Sequence, residues 1–78
     1  MLVEVIIQGT PGNVVAVYKL NPAYGNYPTK GLAWGHFDAA GEFRMTADTD
    51  DQAEVKIVES DPSFAAFLRK NWHINTEQ

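Results

Sequence analysis

At 78 residues the chain has room for one hydrophobic core, so we expect a single small domain over residues 1–78. It contains no cysteine, which excludes disulfide frameworks, cysteine-ligated zinc sites and thiol nucleophiles. The formal net charge is −4 and the six basic residues are dispersed, which argues against direct binding to the phosphates of a nucleic acid.

The compartment is predicted from the first residues and from the hydropathy of the chain. Met1-Leu2-Val3-Glu4 lacks the basic segment of a signal peptide. No apolar run approaches the roughly 20 residues that cross a bilayer. We therefore expect a soluble, cytoplasmic protein with no membrane partner.

Two β-branched runs open the chain, over residues 2–8 and 14–20. Thr10-Pro11-Gly12-Asn13 lies between them, with proline at the second position of a type II turn and glycine at the third. This pattern predicts an antiparallel hairpin. Both runs are apolar on both faces near their middles, which predicts central strands or a sheet that curls on itself.

Residues 21–31 contain two prolines, two glycines and two asparagines, and this composition predicts a long surface loop. Residues 32–38 and 42–48 then form the clearest predicted hairpin. Its turn, Asp38-Ala39-Ala40-Gly41, has aspartate at the first position and glycine at the fourth, as in a type I turn with a G1 bulge.

Residues 53–60 are ambiguous between a strand and a helix, and their β-branched content favours a strand. Asp61 and Pro62 are typical of a helix start, and we expect a helix over residues 61–73. Its predicted apolar stripe consists of Phe64, Phe67, Leu68 and Trp72. The predicted fold class is α+β, an antiparallel β-meander of four to five strands with one C-terminal helix packed on it.

Three polar residues are candidates for reaction chemistry. His36 and Asp38 would share one face of a strand, and His73 is the second histidine of the chain. A zinc site needs three or four ligands, so a metal-assisted hydrolase that uses these three residues is a minor alternative. We predict that the chain is not an enzyme and has no metal or cofactor.

The acidic segment that begins at Asp48 resembles a calcium loop only superficially. Ala53 occupies the sixth position, where such a loop needs glycine for its sharp turn, so we predict no calcium site. The segment is interpreted either as a solvated turn or as an edge that docks on a basic protein. Its candidate partner-binding residues are Asp48, Asp50, Asp51 and Glu54.

The second candidate contact surface is the tyrosine-containing loop. Tyrosine and asparagine on a proline-stiffened loop are typical of protein-binding surfaces, although both rings could instead fold back over the end of the sheet. The candidate residues of this loop are Tyr24, Asn26, Tyr27 and Lys30.

These patterns favour a non-enzymatic protein-binding module. A small acidic inhibitor or adaptor is one form of it, for example one encoded by a phage or mobile element that acts on a host nucleic-acid-binding protein. The alternative is a structural subunit of a virion or other assembly, in which a strand edge at residues 2–8 or 53–60 pairs with a second copy.

Overall fold

The computed structural model describes residues 1–21, 27–48 and 55–76. Five strands are followed by one helix, and this order confirms the predicted α+β class. The strands are β1 (Leu2–Gln8), β2 (Val14–Asn21), β3 (Tyr27–His36), β4 (Glu42–Asp48) and β5 (Val55–Ser60). A 3-10 turn over Pro62–Phe64 leads into the α-helix α1 (Ala65–Thr76).

The strands form two antiparallel sheets. One pairs β1 with β4, and the other has the order β3-β2-β5. The predicted hairpin between β1 and β2 is therefore wrong, because β3 and β5 occupy both edges of β2 and β1 pairs with β4 instead. The prediction of a strand covered on both faces is correct for β2 alone, since Val14 to Val17 are all buried.

The turn between β1 and β2 has the predicted conformation. Gly12 has a φ of 86°, and the amide of Asn13 donates to the carbonyl of Thr10 at 3.1 Å. This type II turn carries the chain from one sheet to the other rather than closing a hairpin.

The turn after β3 is also correct, whereas the pairing predicted around it is wrong. The Asp38 carboxylate accepts from the amides of Ala40 and Glu42 at 2.9 Å each, and Gly41 has a φ of 78°. The strands on either side then diverge, since β3 pairs with β2 and β4 pairs with β1.

The loop predicted for residues 21–31 is wrong at both ends, because Asn21 belongs to β2 and residues 27–31 belong to β3, while residues 22–26 lie outside the described part. The ladder between β2 and β3 has two register shifts, one between Val17 and Tyr18 and one between Lys19 and Leu20. Such bulges, together with an edge position, let a strand accommodate proline and glycine. The strand prediction for residues 53–60 is confirmed for residues 55–60 by β5, and residues 53 and 54 lie outside the described part.

The core lies in two clusters, one on each face of the three-stranded sheet. Ile7, Val15, Val17 and Phe37 fill the space between the two sheets. Val14, Ala16, Ala65 and Leu68 fill the space beneath α1. The molecule thus has three layers, a two-stranded sheet, a three-stranded sheet and a helix.

The helix begins as predicted and ends later. The Asp61 carboxylate accepts from the amide of Ser63 at 3.0 Å and from its hydroxyl at 2.7 Å, and Pro62 occupies the first position. The backbone remains helical to Thr76, beyond the expected end at residue 73. No helix in the described part of the chain has both the length and the apolar content needed to cross a bilayer.

The predicted apolar stripe of the helix is only partly correct. Leu68 is buried and Trp72 is half-buried, whereas Phe64 and Phe67 are 40% and 53% exposed. Ala65 is buried in their place. Phe67 lies about 100° around the helix from the buried Leu68, and Phe64 lies in the 3-10 turn, so neither ring follows the α-helical stripe through Leu68 and Trp72.

Candidate functional site

The tyrosine-containing loop is mostly outside the described residues. Tyr24 and Asn26 fall in the gap between residues 21 and 27. The backbone of Tyr27 opens β3, and its side chain also lies outside the described part. Lys30 lies in β3 and is exposed. A contact role for these four residues stays a prediction.

The acidic segment divides in the same way. Asp50, Asp51 and Glu54 lie outside the described residues. Asp48 ends β4, where its carboxylate pairs with the terminal amino group of Met1 at 3.6 Å. Asp48 is therefore engaged within the chain, and its role toward a partner stays a prediction.

His36 and Asp38 have separate surroundings. His36 is exposed, with its ring 6.2 Å from the ring of Trp34. The Asp38 carboxylate holds the turn after β3, and the side chain of His73 lies outside the described part. Across residues 1–21, 27–48 and 55–76, no three histidine or carboxylate side chains are placed to hold a metal ion.

An exposed pair of phenylalanines at the start of the helix was not anticipated from the sequence. The rings of Phe64 and Phe67 stack with their centroids 4.9 Å apart and an angle of 28° between planes. Both rings remain substantially exposed. The sequence carried no signal for this pair, because proline at the first position is equally typical of a regular α-helix.

The helix leans toward β3, and its contacts fix the side on which the phenylalanines lie. The Arg69 guanidinium lies 5.9 Å from the centroid of Trp34 on β3. Residues two apart in an α-helix point about 200° apart, so Phe67 projects from the opposite flank to Arg69. Since β5 is the strand at the other edge of this sheet, Phe67 lies on the β5 side.

Close approach of the helix to β3 depends on a glycine. A methyl group added at Gly31 would lie 2.6 Å from the ring of Trp72. The same indole lies with its centroid 5.5 Å from that of Tyr18 on β2. Trp72 therefore anchors α1 over β2 and β3, which leaves β5 at the less covered edge of the sheet.

β5 is an edge strand with apolar side chains on both of its faces. Ile57 pairs with Val17 and faces the two-stranded sheet, yet it is 49% exposed. Val58 pairs with Ala16 on the helix side and is half-buried. Ile57 and Val58 thus flank this edge on opposite faces, Phe64 and Phe67 lie near it on the helix side, and Lys56 of the same strand is exposed.

An apolar cleft opens between the two sheets next to β5. Its volume is about 270 Å³, a value that includes solvent at its mouth. Its lining among the described residues is apolar and comes from all five strands: Val5, Ile7, Val17, Leu32, Met45, Ala47, Val55 and Ile57. The described lining of this cleft offers apolar contact.

Two carboxylates mark the C-terminal end of β5. Glu59 accepts from the side-chain amide of Asn13 at 2.8 Å and from the backbone amide of Thr10 at 3.0 Å. These two hydrogen bonds hold the pKa of Glu59 below its usual value. The hydrogen bonds from the hydroxyl and amide of Ser63 similarly lower the pKa of Asp61. Both groups are exposed and negatively charged at neutral pH.

No family model matches this chain, and neither a curated protein nor a solved structure matches it. The geometry of the described residues is therefore the basis for a functional proposal.

Proposed function

We propose that this chain is a small protein-binding module without reaction chemistry of its own. The observation that carries the proposal is the exposed stack of Phe64 and Phe67 at the flank of the helix. Aromatic side chains are enriched in protein interfaces and often account for much of their binding energy. A preformed stack also lowers the conformational entropy lost on docking.

The charge of the chain bears on the kind of partner. A formal charge of −4 favours association with a basic protein surface and speeds the encounter with it. An inhibitor or adaptor that acts on a host nucleic-acid-binding protein is one form of this module, because such proteins carry basic surfaces. The tyrosine-containing loop and the acidic segment are proposed as further contacts.

The test is partner capture by the full chain from a lysate of the source cells. We expect Phe64→Ser with Phe67→Ser to retain the fold, since both rings are exposed, and to lose the captured protein. Ile6→Ser is the matched control, because Ile6 is 46% exposed on β1, in the other sheet. Equal capture by the double variant and the wild type would contradict the proposal.

The predicted loop contact has its own test. Tyr24→Ala with Tyr27→Ala should weaken capture of the same protein if the loop is part of the interface. An unchanged capture would remove the loop from the proposed interface, while the Phe64 and Phe67 contact would stand.

A second candidate function is self-assembly through a strand edge. Within the described sheets, β1 pairs only with β4 and β5 only with β2, so each leaves one edge unpaired. On β1 the side chains of Leu2 and Ile6 are 71% and 46% exposed, which favours this strand for contact between copies. Light scattering distinguishes the two functions, because an assembly of several copies has a mass well above the 8.7 kDa of one chain.

A further inference from the structure

β5 presents an open backbone edge. Its residues pair with β2 on one side, and no other described strand pairs with it. The sequence Val55–Ser60 contains no proline or glycine. Proteins usually protect such edges with proline, bulges or several charges, and here Lys56 is the one lysine within the strand. Among the described strands, none pairs with the amide and carbonyl groups on this side of β5, which makes this edge a candidate to receive an added strand.

Apolar side chains flank that edge on both faces of the sheet. Ile57 lies at the mouth of the apolar cleft, and Val58 lies on the helix side. Phe67 projects from the flank of α1 that faces β5, with Phe64 stacked on it. A strand added beside β5 would therefore bury apolar side chains in both directions, as strands do in the middle of a sheet.

Two exposed carboxylates, those of Glu59 and Asp61, lie at the C-terminal end of the β5 edge. An incoming strand with lysine or arginine at the end beside Glu59 and Asp61 complements this pattern. In an antiparallel addition, the more stable arrangement, that end is the N-terminal end of the incoming strand.

We infer that β5 accepts an extended segment of a partner protein as a fourth, antiparallel strand of its sheet, with apolar residues in the segment and lysine or arginine at its N-terminal end. This inference rests on the proposed protein-binding function and assigns the binding mode. Hydrogen bonds between the main chains supply affinity. Contacts with Ile57 on one face of the sheet and with Phe67 on the other select apolar side chains in the incoming segment.

A second copy of this chain is the alternative occupant of the edge. The formal net charge of the chain is −4, so two copies repel each other at long range, whereas a basic segment of a partner is attracted. The charge of the chain thus favours a basic partner segment over self-pairing.

The probes are two fluorescent synthetic peptides, each with valine and threonine in alternation. One carries two arginines at its N-terminal end, and its matched control carries two glutamates there. Fluorescence anisotropy with the full chain measures both affinities, and amide hydrogen exchange locates the bound peptide. We expect the arginine peptide to bind about tenfold or more tightly than the glutamate peptide. We also expect it to slow exchange along β5.

Two variants localise the binding. Ile57→Lys places a charge on the β5 edge at a half-exposed position. We expect it to lower the affinity for the arginine peptide by about tenfold or more. Thr46→Lys adds the same charge to an exposed position on β4, in the other sheet, and should leave the affinity unchanged. Circular dichroism melts confirm that both variants remain folded.

Three results would overturn the inference. They are equal affinity for both peptides, absence of binding by either, and slowed exchange in another strand with β5 unchanged. A doubled mass in light scattering, with slowed exchange in β5 before peptide is added, would assign the edge to a second copy. If peptide binding fails while capture still depends on Phe64 and Phe67, the binding mode is wrong and the proposed function stands.

Discussion

Individual residues with unusual backbone conformations or close neighbours determine how the turns hold the two sheets together. Gly41 has a φ of 78°, and its carbonyl accepts from the amide of Gly9 at 2.8 Å. This hydrogen bond joins the turn before β4 to the end of β1. The conformation of a single glycine therefore affects the alignment of the two-stranded sheet.

Substitution of this glycine should be more costly than substitution of the glycine in the other turn. A methyl group at Gly41 would lie 2.5 Å from the carbonyl oxygen of Gly9, whereas the space around Gly12 is open. Both residues have positive φ, so Gly12→Ala costs about 1 kcal/mol from backbone strain alone.

We expect Gly41→Ala to lower the free energy of unfolding by about 2 to 3 kcal/mol, because the clash adds to that strain. Urea unfolding of the two variants measures the difference. Equal losses would show that the Gly9 carbonyl moves aside without cost.

Two carboxylates couple the stability of the fold to pH. The pKa of Glu59 and that of Asp61 are lower in the folded chain than in the unfolded chain. The unfolded state therefore takes up protons first as the pH falls. The stabilisation is complete above the usual carboxyl range of about 4, and it decreases as the pH falls through that range and below.

Glu59→Gln should reduce this acid sensitivity, because the amide oxygen can still accept from Asn13 and Thr10 without titrating. Glu4→Gln is the control for the removal of one negative charge from an exposed position. Unfolding free energies measured between pH 3 and 7 test the expectation. An unaltered pH profile in Glu59→Gln would show that its hydrogen bonds do not contribute to the pH dependence.

At the scale of elements, the helix separates its buried and exposed faces differently from the pattern expected. Leu68 is 1% exposed beneath the helix, while Phe67 beside it in sequence is 53% exposed. The larger side chain thus contributes less to the fold than its neighbour.

Leu68→Ala should cost about 3 kcal/mol of unfolding free energy, because it leaves a cavity between α1 and the sheet. Phe67→Ala should change the stability by no more than about 0.5 kcal/mol. Thermal or urea unfolding of both variants provides the comparison. If Phe67→Ala proves the more destabilising, the orientation of α1 described above is incorrect.

Local features of the elements were predictable, and their pairing was not. Pro11 with Gly12, Asp38 with Gly41, and the Asp61 cap each determine a short segment through its own backbone chemistry. The partner of β1 depends instead on which strands occupy the edges of β2, and nothing near residues 2–8 encodes that. The start of β3 was missed because Pro28 indicated a loop. An edge strand tolerates a proline, whereas a central strand does not.

The candidate site was less predictable than the fold. The proposed surface depends on the rotation of α1 relative to β5, which follows from the 3-10 turn and from the anchoring of Trp72 at Gly31. Those contacts join residues distant in sequence, so the exposed phenylalanines looked like core residues. The tyrosine-containing loop and most of the acidic segment lie outside the described residues.

At the scale of the whole molecule, the strand proposed to bind a partner is also an edge at which copies of the chain could associate. Lys56 is the one lysine of β5, between Val55 and Ile57. Its removal would leave a nearly continuous apolar edge.

Lys56→Val should therefore promote self-association, visible as an increase in the mass measured by light scattering with protein concentration. Lys70→Val, on the exposed side of the helix, is the matched control and should remain unchanged in mass. A monomeric Lys56→Val variant at high concentration would show that the edge is protected by other means.

The pairing of β1 with β4 has a consequence for the order in which the chain assembles. Gln8 and Glu42 lie opposite each other although 34 positions separate them, and Leu2 lies opposite Asp48. During synthesis on the ribosome, the first strand emerges long before its partner has been made. β1 therefore stays unpaired until the segments between it and β4 have been made. Because pairing of β1 with β4 is non-local, we expect it to be slow, with folding in the range of milliseconds to seconds.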